Sequence, residues 1–84
     1  MFDIEIKRSA RKSLLNLPKS YQDKIIKVID HFMEEPYPQG CKKLRKDNSL
    51  FAYRVGDYRI IYRVYQDELL VMVIDIAHRK DVYD

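Results

Sequence analysis

Residues 51–65 read FAYRVGDYRIIYRVY, and this stretch decides the fold. Phe51 to Val55 and Tyr58 to Tyr65 are dense in aromatic and β-branched residues, the composition of strands. Gly56-Asp57 between them is a two-residue turn pair, so the segment predicts an antiparallel hairpin. Along the second strand, Tyr58, Ile60, Tyr62 and Val64 alternate with Arg59, Ile61, Arg63 and Tyr65. The first set suits a face covered by helices. The second is a mixed face of arginine, aliphatic and aromatic side chains, more apolar than a fully solvated sheet face. Such a face predicts a partner, the alternative being burial by the chain itself.

Downstream, Gln66-Asp67-Glu68 reads as a turn and Leu69 to about Ala77 as a further strand. Strict alternation there places Leu70, Met72, Ile74 and Ile76 on one side and Leu69, Val71, Val73 and Asp75 on the other. Upstream, Asp47-Asn48-Ser49 is a turn and Lys43 to Lys46 a short, ambiguous segment. Pro36-Tyr37-Pro38-Gln39-Gly40 cannot continue a helix and forms a loop. Before it, Tyr21, Ile25, Val28, Ile29, Phe32 and Met33 recur at helical spacing, predicting a helix over 18–35. Ala10, Leu14 and Leu17 mark one face of a shorter helix with Ser9 as its N-cap, closed by Pro18, which opens the next. Phe2 to Lys7 alternates apolar and charged residues, the signature of an N-terminal strand. The order is therefore βααβββ, with room for one further short strand. It predicts an α+β fold in which an N-terminal strand and an antiparallel helix hairpin pack on one face of a small, mainly antiparallel sheet.

The chain is 84 residues with 46% apolar content. That is one domain over 1–84 with a modest core, too small for a large cofactor cradle. Cys41 is the single cysteine, which excludes an intramolecular disulfide and any cluster of thiolates around a metal. The N-terminus becomes charged within three residues, unlike a signal peptide, and the run from Leu69 to Ile74 is too short to span a membrane. A soluble cytoplasmic domain is the expectation. No spacing of carboxylates and histidines suits a metal, and no glycine-rich phosphate loop or nucleophile elbow is present.

The net charge of +3 is modest, and the two halves of the chain are nearly balanced. The arginines are not: Arg45, Arg54, Arg59, Arg63 and Arg79 all fall in the second half, against Arg8 and Arg11 in the first. Guanidinium groups are planar forks suited to phosphate. Arg54, Arg59 and Arg79 converge if their three segments are neighbours in the sheet, although Asp57, Asp67, Glu68 and Asp75 are available to neutralise them. His78 follows the last strand and Tyr83 the tail; both side chains can exchange protons. His31 lies off the apolar stripe of its helix and is read as solvated.

Arg54-Val55-Gly56-Asp57-Tyr58-Arg59-Ile60-Ile61-Tyr62, the apolar strand after it, and His78-Arg79-Lys80-Asp81-Val82-Tyr83 together resemble the RelE/ParE toxin superfamily, and its RelE branch most closely. Lys43-Leu44-Arg45, the helix pair and the N-terminal strand extend the resemblance over nearly the whole chain. The resemblance implies a toxin of a type II toxin–antitoxin pair, a single RelE-like domain that enters the ribosomal A site and cleaves mRNA there without metal or cofactor. The 2′-hydroxyl attacks the adjacent phosphate, leaving a 2′,3′-cyclic phosphate and a 5′-hydroxyl. It assigns catalysis to Arg54, Arg59, Arg79 and Tyr83, and RNA contact to Lys43, Arg45 and His78. Its implied partners are a cognate antitoxin encoded nearby, the ribosome with its mRNA, and operator DNA for the toxin–antitoxin complex, with no membrane.

Ala52 departs from the family pattern, which has a basic residue two positions before Arg54; Lys43 and Arg45 are the compensating candidates. Two other readings stand beside this one. One is a ParE-like, non-enzymatic toxin that binds gyrase. The other is an attenuated RelE relative acting through antitoxin binding and operator repression.

Overall fold

The computed structural model describes residues 1–44 and 49–80. Five strands and two helices follow in the order β1 (Asp3–Ile6), α1 (Arg8–Leu15), α2 (Lys19–Phe32), β2 (Lys42–Lys43), β3 (Leu50–Val55), β4 (Tyr58–Tyr65) and β5 (Leu70–His78). They form one sheet in the spatial order β1-β5-β4-β3-β2. β1 runs parallel to β5 and every other pair is antiparallel. The α+β class and the mainly antiparallel sheet are as the sequence predicts.

Both helices cover one face. Ala10 and Leu14 of α1 and Ile25, Ile29 and Phe32 of α2 are buried against Ile60 and Tyr62 of β4 and Val71, Val73 and Ile76 of β5. The 3.6-residue stripe of α2 thus meets the even positions of β4, as the alternation in residues 58–65 requires. Phe32 stacks on Tyr62 with ring centroids 4.3 Å apart, and Phe51 lies on the other side at 5.9 Å. The Tyr62 hydroxyl donates to the Pro36 carbonyl at 2.8 Å. This fastens the loop after α2 to the centre of the sheet.

Local departures from expectation have physical causes. α1 starts at Arg8 after Lys7, with no side-chain cap, so Ser9 lies inside the first turn. The Lys7 amide donates to Val73 O at 2.9 Å, which holds the chain in sheet register until the residue before the helix. α2 begins after Pro18 and ends at Phe32, because a tightened final turn follows: the Met33 amide donates to Asp30 O and the Glu34 amide to His31 O. β5 begins at Leu70, since Leu69 adopts φ 50° to close the β4–β5 turn. β2 is only Lys42–Lys43; Lys46 of the expected segment lies outside the described residues.

The strict alternation predicted for the last strand is not observed. Ile61 is opposite Asp75 whereas Tyr62 is opposite Val73, so Ile74 is an extra residue in β5. A bulge of this kind shifts the side-chain phase. Val71 and Val73 therefore join Ile76 under the helices, while Ile74 and Ala77 fall on the other face.

That second face is partly closed by the chain itself. Ile61 is fully buried there, and Leu44, Ala52 and Ala77 are nearly so, with Leu50 and Ile74 packed around them. The middle of the face is a second, smaller core rather than an open apolar surface, so this part is buried by the chain itself, the alternative that the alternation left open. What remains open lies beside this cluster.

Candidate functional site

The hairpin of β3 and β4 places Arg54 directly opposite Arg59. Directly opposed residues on one sheet face have Cβ atoms about 5 Å apart. Two arginine side chains therefore leave the second face from adjacent positions, an arrangement that costs stability when nothing anionic lies between them. The turn beneath fixes one of them. Gly56 has φ 59°, and its carbonyl accepts the Arg54 Nε–H at 2.9 Å. A side chain at Gly56 would be strained, and a Cβ there would sit 2.5 Å from the Tyr21 hydroxyl.

Beside this pair lies a cleft of about 200 Å³ lined by Lys42, Lys43, Arg54 and Arg59, with Ala52, Leu44 and Gly40 completing its walls. Four cationic residues line it and no acidic one does. Among the described residues no carboxylate pairs with Lys42, Lys43 or Arg59. Ala52, opposite Lys42 and two residues before Arg54, contributes only a methyl to the cleft wall. Unneutralised cations around a small concavity concentrate positive potential and select an anion.

Arg79 reaches the same end of the sheet by a different route. Its amide donates to Asp57 O at 2.6 Å, tying the end of β5 to the β3–β4 turn. Its guanidinium lies 3.6 Å from the Asp57 carboxylate, with both groups about half exposed. An exposed pair at that distance is weak and can be exchanged for a stronger anion. Arg79 therefore borders the turn that carries Arg54 and Arg59 without lining the cleft.

His78 is turned the other way. It is opposite Tyr58 in the sheet, on the helix side, with its ring edge-on to Tyr58 at 5.2 Å. Tyr58 in turn meets Tyr21 of α2 at 4.8 Å. The His78 Nδ1 accepts the Lys80 amide at 3.2 Å, so it acts locally as a turn acceptor. The structure thus brings Arg54 and Arg59 together, has Lys43 border the cleft from the edge strand with the opposite side-chain phase, holds Arg79 at the adjoining turn, and places His78 on the other face. Arg45 and Tyr83 lie outside the described residues.

Sequence reasoning missed Lys42. Its pairing with Ala52 puts it on the face of Arg54 and Arg59, whereas Lys43 pairs with Phe51, whose ring packs on the helix side. The dipeptide Lys42-Lys43 is visible in the sequence; which of the two shares the arginine face follows only from the β2–β3 register. Among the described residues no three His, Cys, Asp or Glu side chains gather as metal ligands. Likewise, none of the described helices is long and apolar enough to cross a membrane.

The two-helix layer on a five-stranded sheet, with paired arginines beside a cationic cleft, has its counterparts among small toxin domains, as comparison with known proteins shows. The chain matches the family described as the ParE toxin of type II toxin–antitoxin systems over residues 4–83, and it belongs to that family within the RelE/ParE superfamily. It is 27% identical to a Methanocaldococcus jannaschii protein called RelE1, over 98% of this chain and 94% of that one. It is 25% identical to toxin RelG of Mycobacterium tuberculosis, over 98% and 95% of the two chains. Its fold superposes on RelE in the archaeal RelE–RelB complex of Pyrococcus horikoshii with a TM-score of 0.84 at 26% identity, covering 96% and 98% of the chains. Within the superfamily the chain is a RelE-like toxin of a type II toxin–antitoxin system.

Proposed function

We propose that this toxin cleaves mRNA on the ribosome, using the cleft beside Arg54 and Arg59 to hold the scissile phosphate. The observation that carries the reading is the pair of arginines opposed across β3 and β4, beside a cleft lined by cations only. Attack of a 2′-hydroxyl on the adjacent phosphorus, with loss of the hydroxyl proton as the O2′–P bond forms, builds a dianionic, five-coordinate phosphorane. Two guanidinium forks on side chains whose Cβ atoms stand about 5 Å apart can bind its oxygens with charge-assisted hydrogen bonds. These bonds strengthen as charge accumulates, which is the condition for lowering the barrier. The P–O5′ bond then breaks, giving a 2′,3′-cyclic phosphate and, once the departing oxygen is protonated, a 5′-hydroxyl.

Arg79 joins by exchanging Asp57 for a phosphate, and Tyr83 enters on family resemblance. The resemblance also offers Lys43, Arg45 and His78 for RNA contact, but register gives Lys43 the opposite phase from the arginines and turns His78 to the helix side. The small cleft cannot position an mRNA by itself, so the decoding site supplies the alignment. The partner in the cell is a cognate antitoxin, as RelB is for RelE in the Pyrococcus complex. An acidic, otherwise disordered antitoxin segment would compete with RNA for the cations of the cleft. Binding of the toxin–antitoxin complex to operator DNA belongs to the same proposal.

A gyrase-directed reading draws on the family's ParE description, whereas the relatives named above are called RelE and RelG. The two part on induction of the toxin without antitoxin. RNA cleavage predicts translation arrest and new mRNA 5′ ends in register with codons, lost in Arg59→Ala. A DNA-damage response with intact mRNA supports the gyrase reading instead. Intact mRNA with no damage response, and antitoxin binding retained, supports the attenuated relative.

A further inference from the structure

We infer that Lys42, not Lys43, is a phosphate-binding residue of this cleft, and that it takes the phosphate next to the one held by Arg54 and Arg59. This rests on the RNA-cleaving reading of the site. The argument begins with register. Lys42 pairs with Ala52, and Ala52 with Ile61, so all three stand on the face that carries Arg54 and Arg59. Lys43 pairs with Phe51 and has the opposite phase. Both lysines border the cleft from the edge strand, but only Lys42 projects on the arginine side of the sheet.

Spacing comes next. Lys42 is diagonal to Arg54 across β2 and β3, a separation of about 7–8 Å between backbone positions. That is too far for both to hold the same phosphate oxygens from upright side chains, and suited to successive phosphates of one strand. A lysine stem is long and flexible, and its ammonium is a mobile point charge without the fork of arginine. It suits a flanking phosphate, where charge matters more than bidentate geometry.

Ala52 makes the reach possible. It is 8% exposed, contributing only a methyl to the cleft wall between Lys42 and Arg54. A longer side chain there would occupy the path of the Lys42 stem. Among the described residues no carboxylate holds Lys42, so its charge is available to a ligand. The cation that the strand does not carry at residue 52 is thus presented at the same level of the sheet by its cross-strand neighbour.

The test is binding of a short, fluorescently labelled single-stranded RNA to the full-length chain, with 2′-O-methyl sugars to prevent cleavage. Affinity is followed from about 50 to 200 mM KCl, where each phosphate contact on a single strand contributes about 0.7 to the slope of log K against log salt. The expected result is a slope lowered by about 0.7 in Lys42→Ala, restored in Lys42→Arg and unchanged in Lys43→Ala. Thermal midpoints should match the wild type, since Lys42 is exposed. Arg59→Ala tests the underlying reading separately and should also lower the slope. A wild-type slope in Lys42→Ala with a lowered one in Arg59→Ala overturns the assignment and leaves the cleft as the RNA site. A loss in Lys43→Ala without one in Lys42→Ala overturns it as well. Wild-type slopes in both Lys42→Ala and Arg59→Ala overturn the assignment and the reading of the cleft together.

Discussion

Replacing Tyr62 by Phe removes one oxygen from the centre of the domain and little else. The ring is fully buried and stacked between Phe32 and Phe51, and phenylalanine fills the same place. What is lost is the 2.8 Å hydrogen bond to Pro36 O. A buried hydrogen bond contributes about 1 kcal/mol net, and the Pro36 carbonyl, left without that donor, adds to the cost. The expected destabilisation at pH 7 is about 1–2 kcal/mol, which lowers the midpoint of a domain this size by about 5–10 °C. The residue also makes a prediction about pH. Burial pushes the Tyr62 phenol well above its ordinary value of 10, with the neighbouring Cys41 thiol adding to the shift.

Because the folded-state value is the higher one, the protonated phenol's contribution is complete below pH 10 and declines above it. By pH 11 the unfolded chain gains about 1.4 kcal/mol from ionising this tyrosine, a gain absent from Tyr62→Phe. The stability gap between wild type and variant should therefore shrink by that amount between pH 7 and pH 11. Urea denaturation followed by circular dichroism at the two pH values measures it. Equal stabilities at pH 7, or a gap that does not change with pH, would refute the reasoning. The bond matters for function because Pro36 begins the loop that delivers Lys42 and Lys43 to the cleft.

Other outcomes follow from the same contacts. Gly56→Ala combines left-handed strain of about 1–2 kcal/mol with overlap on the Tyr21 ring, so thermal denaturation should show a loss of at least about 2 kcal/mol. Asp57→Asn frees Arg79 from an exposed pair and should change stability by less than about 0.5 kcal/mol in the same assay. Arg79→Ala should leave the fold and antitoxin binding unchanged while reducing ribosome-dependent cleavage at least about tenfold, the loss expected for one charge-assisted contact. Full cleavage in that variant would place Arg79 outside the site.

The hairpin at residues 51–65 was legible because its signals agree: β-rich composition, alternation along β4 and a glycine where the turn needs positive φ. The helix stripe from Tyr21 to Met33 was legible for the same reason, since helical periodicity and core packing coincide. The phase of β5 was not. A run of aliphatic residues carries no mark of an extra residue, and the bulge at Ile74 is set by pairing with β4 rather than by its own side chain. For the site, Arg54 and Arg59 were legible as neighbours once the hairpin was drawn. Lys42 was hidden because a two-residue edge strand takes its facing from β3, and no local pattern specifies it. His78 illustrates the converse: residue type suggested chemistry, while register with Tyr58 turned it to the helix side.

The central claim is that the arginines opposed across β3 and β4 perform RNA cleavage on the ribosome. The most direct measurement programs purified ribosomes with a defined mRNA, adds the toxin or its Arg54→Ala and Arg59→Ala variants, and maps the products. The account predicts A-site cleavage with a 2′,3′-cyclic phosphate and a 5′-hydroxyl by the wild type, reduced at least about a hundredfold in either variant as for loss of a transition-state donor. Undiminished cleavage in both variants, or no cleavage by a folded wild type, would contradict it.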